Sequence, residues 1–321
     1  MSAAKAKPKP KPKIADGLLP GGHDVPFGEI EVTLARLVRD GNRRTRGPAK
    51  ALTATVIVVG KPERLVAAAE ALEQHGESGG VRAILISEGE HTSPVARVTE
   101  NAIAISGLAP RYLNNAVAAL RLSSLPAVVW WRGGSVEALD DLANLADRLV
   151  LDTPEPDIVW ARADTLFERT ALTDLRWTSL TRWRAALAHL FDLSHVRRAA
   201  ASIDTMIIET ADVPSARLYA GWLHSRLRWT SAVRIDIRAV KSEGPHPLVS
   251  VRLQGGPLDI LLCLRSGKTC LEASAGGQEP AERIVPLGDG TLGSLIGEEL
   301  GVRTRDLAFE QALVAAREIS A

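Results

Sequence analysis

The chain has 321 residues, 45% of them apolar and 24% charged, enough for two ordinary domains that each bury a core. Its 39 basic and 38 acidic side chains leave a net charge of +1, and because the first 26 residues hold five Lys against Asp16 and Asp24, the remainder is nearly neutral at −2. That balance lacks the electrostatic footprint of a nucleic-acid binder, and apolar runs such as Ala127 to Trp131 are far shorter than the roughly 20 residues that cross a bilayer, so neither nucleic acid nor a membrane is an expected partner.

Residues 1 to 26 open with alternating Lys and Pro, which gives an extended, solvated arm and no packed element. No apolar run follows the basic stretch, so it does not read as a secretory signal, and a cytoplasmic protein is expected. Ile30, Leu34, Leu37 and Val38 follow helical spacing up to a stop at Gly41-Asn42. TATVIVVG (53 to 60) is a continuous β-branched run, and the alternation continues with helix 62–75, strands 81–87 and 102–106, helix 110–123, strand LPAVVWW, helix 136–146 and strand 148–152. Buried strands alternating with helices predict a mostly parallel, three-layer α/β domain over 27–155. TPEPD (153 to 157) marks a change of character, and 156–175 reads as a connection. From 176 to 321 the pattern is α+β. A helix over 179–191, a strand over 203–209 and a helix over 214–228 precede five strands between 233 and 287. With no helices between those strands, a mainly antiparallel sheet is expected, before helices at 291–300 and 304–319.

Three motifs carry chemistry, each beside a plainer reading. Gly288 to Gly293 matches G-x-G-x-x-G after a strand, but no parallel strand with an acidic end follows, and a glycine turn at a helix start explains the same residues. Arg132, Gly133, Gly134 and Ser135 lie between a buried strand and a helix, where backbone N–H groups, a capping serine and a guanidinium form a possible anion site. Glu137, Asp140 and Asp141 oppose an anion there, and an ordinary capped turn is the alternative. Cys263 and Cys270 flank LRSGKT. A two-residue Ser266-Gly267 turn sets them opposite each other as a possible redox pair, or as two reduced thiols. Their spacing does not suit zinc, no metal set appears, and the dispersed histidines form no catalytic pattern.

All seven tryptophans fall between Trp130 and Trp229. Trp130 and Trp131, adjacent in a strand, must point to opposite faces of the sheet. Trp183 shares a helical stripe with Leu180, Leu187 and Leu190, and Trp222 lies with Leu218 and Tyr219, so both read as core. Trp177, between Arg176 and Thr178, is the one that packing explains least.

RTRGPAKALTATVIVV (44 to 59), LPAVVWWRGG (125 to 134), LADRLVLDT (145 to 153), DLRWTSLTRWRAALAHLFD (174 to 192) and ARLYAGWLHSRLRW (216 to 229) together resemble the OpcA family, the bacterial glucose-6-phosphate dehydrogenase assembly proteins. The Lys-Pro arm is outside the resemblance. The resemblance implies a non-catalytic protein, with no cofactor of its own, that binds glucose-6-phosphate dehydrogenase and acts as an allosteric activator favouring its active oligomer in the pentose phosphate pathway. Arg176, Trp177, Arg182 and Arg184 become candidate contact residues, since Arg and Trp dominate contact hot spots. The competing class is a small-molecule enzyme or sensor that binds a phosphorylated metabolite or nucleotide at Arg132 to Ser135.

Overall fold

The computed structural model describes residues 18–44, 51–75, 80–89, 94–229, 233–242, 244–265, 270–275, 281–302 and 304–319. The chain forms two compact units, Met1–Ala146 and Asp147–Ala321.

Unit 1 contains β1 (His23–Pro26), α1 (Ile30–Arg44), β2 (Leu52–Val59), α2 (Pro62–His75), β3 (Gly80–Glu88), β4 (Val95–Val98), β5 (Ala102–Leu108), α3 (Leu113–Leu120), β6 (Ala127–Trp131) and α4 (Val136–Ala143). The strand order is β1-β4-β5-β3-β2-β6. β5, β3, β2 and β6 are parallel, with Val58 beside Trp130 and Ile84 beside Ile103. Val56 to Val59, Ile84 to Ile86 and Val129 to Trp131 are essentially inaccessible, as continuous β-branched runs require when both faces of a sheet are covered. The expected arm over 1–26 is corrected at its end, where Leu18 and Leu19 are buried and β1 pairs antiparallel with β4; β1 and β4, at four residues each, are too short to show a period. Helix α1 runs on to Arg44, through Gly41 and Asn42, because glycine inside a helix costs only about 1 kcal/mol relative to alanine.

Unit 2 starts earlier than the expected domain boundary. It includes β7 (Arg148–Leu151), α5 (Pro156–Trp160), α6 (Ala163–Arg169) and β8 (Ala171–Asp174), with β7 and β8 parallel. Residues 156–175, expected as a connection, are therefore largely structured. Helices of five and seven residues give too few turns for a helical period to show. Next come α7 (Leu175–Ser179), α8 (Thr181–Phe191), α9 (Ser194–Ala199), β9 (Thr205–Thr210), α10 (Val213–Leu227), β10 (Arg234–Ala239), β11 (Leu248–Gly255), β12 (Leu258–Leu264), β13 (Cys270–Ala275), β14 (Ala281–Pro286), α11 (Leu292–Gly301) and α12 (Leu307–Glu318).

The six-stranded sheet runs β10-β9-β11-β12-β13-β14 and is mainly antiparallel, as expected. Strand β10 is the exception: it pairs parallel to β9, because α10 supplies the crossover that a parallel pair needs. Helices α10 and α12 pack through Gly221, where a Cβ atom would overlap the Ala312 carbonyl and lie 2.8 Å from the Ala316 amide. Only glycine lets the two backbones approach this closely.

Candidate functional site

In unit 1 the expected anion position is filled from within the chain. Gly133 and Gly134 both have positive φ, 128° and 141°, and turn the chain from β6 into α4 so that the Ser135 amide projects from the helix start. Glu88, at the end of β3, accepts that N–H with both carboxylate oxygens, at 2.8 and 3.0 Å. The Ser135 hydroxyl donates to Glu137 at 2.6 Å. Arg132 is buried, its guanidinium lying 4.9 Å from the Trp130 ring and donating to the Arg64 carbonyl. An internal carboxylate thus occupies the place proposed for a phosphate, which corrects the anion-site expectation. Burial pushes the Glu88 carboxyl above its ordinary value; the Ser135 amide pulls it back in part, and Glu137 pushes it further up.

In unit 2 the polar groups converge on Arg176. Asp174 caps α7 by accepting the Arg176 N–H at 2.9 Å, and its other oxygen accepts the Trp160 indole N–H at 3.1 Å. Asp212 caps α10 by accepting the Ser215 N–H at 3.0 Å and also receives Arg176 Nε at 3.0 Å. The remaining arm of the guanidinium donates to the Thr153 carbonyl at 3.0 Å. One arginine therefore joins two helix starts to the segment after β7. Burial pulls the Arg176 pKa down, and the Asp174 and Asp212 carboxylates more than offset it, so the group stays charged. Burial also pushes the fully enclosed Asp174 up, against Arg176.

A cavity of about 300 Å³ opens beside this junction, lined among others by Asp152, Asp174, Arg176, Asp212, Ser215 and His246. Three carboxylates against one guanidinium oppose a phosphate and suit hydroxyl donors. Among the described residues no group of three or more His, Cys, Asp or Glu is placed to hold a metal ion.

Trp177 is only 2% exposed, so it is a packing residue and not the free contact residue that its place in the sequence suggested. Its indole N–H donates to Asp306 at 2.8 Å, its ring meets Phe309 at 5.8 Å, and the Arg184 guanidinium stacks on it at 3.3 Å. Arg184 also donates to the Trp177 carbonyl and to Thr181, and burial pulls its pKa down to about 10. Of the four candidate contact residues, only Arg182 is exposed. The reason is the helix pair itself: Asp174 starts α7 so that Trp177 faces α12, and α8 brings Arg184 back over it one turn after Leu180. Below them lies a buried pair, Arg148 and Glu299, 2.5 Å apart and each 6% exposed. Thr178 donates to the same carboxylate at 2.6 Å.

The expected opposition of Cys263 and Cys270 is not found. Cys263 lies opposite Glu272, and Cys270 opposite Pro286. Leu264 pairs with Leu271, a register two positions away from the one that a Ser266-Gly267 turn sets; Ser266 and Gly267 lie outside the described residues. Cys263 is not disulfide-bonded. The Gly288 to Gly293 motif is a glycine turn at a helix start: Asp289 accepts the Thr291 N–H at 3.0 Å, and Thr291 caps α11 by accepting the Ser294 N–H at 3.3 Å. Trp130, Trp131 and Trp183 are buried, whereas Trp222 is half-buried and meets the Tyr219 ring at a tilt, 5.4 Å between centroids.

The polar partners escaped sequence reasoning. Asp212 before Val213-Pro214 and Asp306 before the last helix are legible as caps. Nothing local says that one also holds Arg176 and the other Trp177.

The family described as the C-terminal domain of a glucose-6-phosphate dehydrogenase subunit matches residues 170–313. Curated relatives provisionally named OxPP cycle protein OpcA are 26% identical over 245 residues in Synechocystis sp. (63% of this chain, 51% of the relative) and 26% over 239 residues in Synechococcus elongatus (61% and 54%). A third, from Nostoc punctiforme, is 31% identical over 140 residues, 40% of this chain and 30% of the relative. The chain thus spans about half the length of the first two relatives. Among solved structures, a super-repressor mutant of Gal80p from Saccharomyces cerevisiae aligns with a TM-score of 0.49 at 11% identity, over 83% of this chain and 94% of that one. Aldose-aldose oxidoreductase from Caulobacter crescentus aligns at 0.44 and 11%, over 84% and 98%. Both likenesses are too slight to argue from.

Proposed function

On the premise that this chain is a member of the OpcA family, to which its C-terminal domain and curated relatives point, we propose that it is a non-catalytic cytoplasmic factor that binds glucose-6-phosphate dehydrogenase and favours its active oligomer. The observation that carries this reading is the match of residues 170–313 to a domain described as part of a dehydrogenase subunit. The polar chemistry of unit 2 supports it: the groups that resembled a reactive site are spent on one another, with Arg176 held by two caps and Trp177 by Asp306. Such a network holds a surface rigid, which lowers the ordering cost of binding a partner.

An activator must bind the active arrangement of its target more tightly than the inactive one, and each 1.4 kcal/mol of that difference is about tenfold in the equilibrium. The test mixes purified cognate dehydrogenase with and without this chain, following reaction rate and co-elution. A rise in rate with co-elution is expected; no change in either sinks the proposal. Arg182 is the candidate contact residue that remains at the surface. Arg182→Glu is expected to weaken activation several-fold without lowering the melting temperature, whereas Arg176 and Arg184 variants should lower it.

A further inference from the structure

The bonds that secure Arg176 leave part of its capacity unused. A guanidinium has five N–H donors. Nε goes to Asp212 and Nη2 to the Thr153 carbonyl, each at 3.0 Å, and Nη1 reaches Asp174 at 3.5 Å, so two N–H groups remain without an acceptor among the described residues. Asp212 is engaged on one side only: Oδ2 accepts from Arg176 and from both the N–H and the hydroxyl of Ser215, whereas Oδ1 accepts from no donor among the described residues. Neither side chain is sealed off, with Asp212 35% exposed and Arg176 16%. Both line the cavity of about 300 Å³ in unit 2, together with Asp152 and His246, and Leu292 and Leu295 of α11 give the same cavity an apolar wall.

We infer that this cavity binds a small neutral polyhydroxyl compound, a monosaccharide or an acyclic polyol. The spare donors of Arg176 and the spare acceptor of Asp212 belong to side chains that border one space, so a ligand that satisfies both must accept as well as donate. A hydroxyl does both. An ammonium only donates and would meet the Arg176 charge, whereas a phosphate only accepts and would meet Asp152, Asp174 and Asp212. The polar groups are also fixed before a ligand arrives, Arg176 by its three acceptors and Asp212 by Ser215, which lowers the ordering cost of binding. The two leucines suit the C–H surface that such a compound carries between its hydroxyls. The cavity lies at the small end of the range for ligand sites, which begins at about 300 Å³, and so takes a compound of roughly five or six carbons. The inference is independent of the dehydrogenase reading, since it concerns the chain alone.

Saturation-transfer NMR and calorimetry on the full chain test it, with xylitol and glucose as probes. Binding of at least one is expected, with a dissociation constant on the order of 1 mM for a ligand of this size. Ala211→Trp, at an exposed residue that lines the cavity, should fill the space and abolish binding while the thermal melt still shows one cooperative transition. If Ala211→Trp does not fold, Leu292→Trp on α11 takes its place. Val314→Lys, at an exposed position on α12, should bind as the wild type does. The inference is overturned if neither probe binds at roughly fifty times that concentration, or if putrescine or inorganic phosphate binds more tightly than both probes. Binding that survives in a folded cavity variant, or that is lost equally in Val314→Lys, overturns it as well.

Discussion

The Glu88–Ser135 turn of unit 1 and the Arg176–Glu299 region of unit 2 are both places where charged groups meet inside the protein, yet they are built differently. In unit 1 the polar contact lies at the carboxyl edge of a sheet whose strands are held by continuous apolar runs, so one carboxylate on one amide adds little to a core already secured. In unit 2 the polar groups are the joints. Arg148, Thr173, Thr178 and Glu299 meet in the interior, and Arg176 ties two helix caps to the chain after β7. The difference teaches where a single substitution should matter: a buried network fails when one member is removed, whereas an edge contact is dispensable.

The largest expected effect is therefore at Glu299. Glu299→Ala leaves Arg148 charged and enclosed, and should cost about 3 to 5 kcal/mol of stability by denaturant titration. A loss below about 1 kcal/mol would erase the contrast between the two regions. Gly221→Ala comes next. The added methyl meets the Ala312 backbone, and overpacking of this kind typically costs about 1 to 3 kcal/mol. Thermal melts should show it, and helices α10 and α12 should separate in a crystal structure of the variant.

Arg184→Lys sharpens the comparison further. It keeps the charge but loses the planar stack on Trp177 at 3.3 Å, so a loss of about 1 to 2 kcal/mol is expected, with altered tryptophan fluorescence. No change in either would mean that the charge alone, and not the stacked plane, secures α8 to α7.

Glu88→Gln should have the smallest effect and the opposite sign. Burial raises the folded carboxyl above its ordinary 4.5, so wild-type stability is greatest below that value and falls as pH rises through the folded value. Glutamine keeps an acceptor for the Ser135 amide without the buried charge. A gain below about 1 kcal/mol is expected at pH 7, fading as pH approaches 4.5. A loss at pH 7 would show that the internal carboxylate holds unit 1 together as firmly as Glu299 holds unit 2.

Much of the fold was legible in the sequence, and the reasons are local. The run from Thr55 to Val59 and the segment Ala127 to Trp131 could only be strands covered on both faces. The misses have physical causes too. Helix α5 has too few residues to show a period, and the parallel pairing of β10 depends on the preceding helix, not on the strand's own composition.

The candidate site was less legible. Trp177 looked surplus because its partner Asp306 lies 129 residues away, and Ser135 looked available because Glu88 lies 47 residues before it. The sequence by itself determined the longer strands and helices, the alternation that makes unit 1 a parallel α/β sheet, and which family the chain resembles. Those properties arise from neighbours along the chain and from side-chain periodicity. Tertiary structure alone decided which polar groups satisfy one another, and that Trp177 is buried while Arg182 is not. A buried donor or acceptor must find a partner, and chain distance does not say which one the packed elements will bring within about 3 Å.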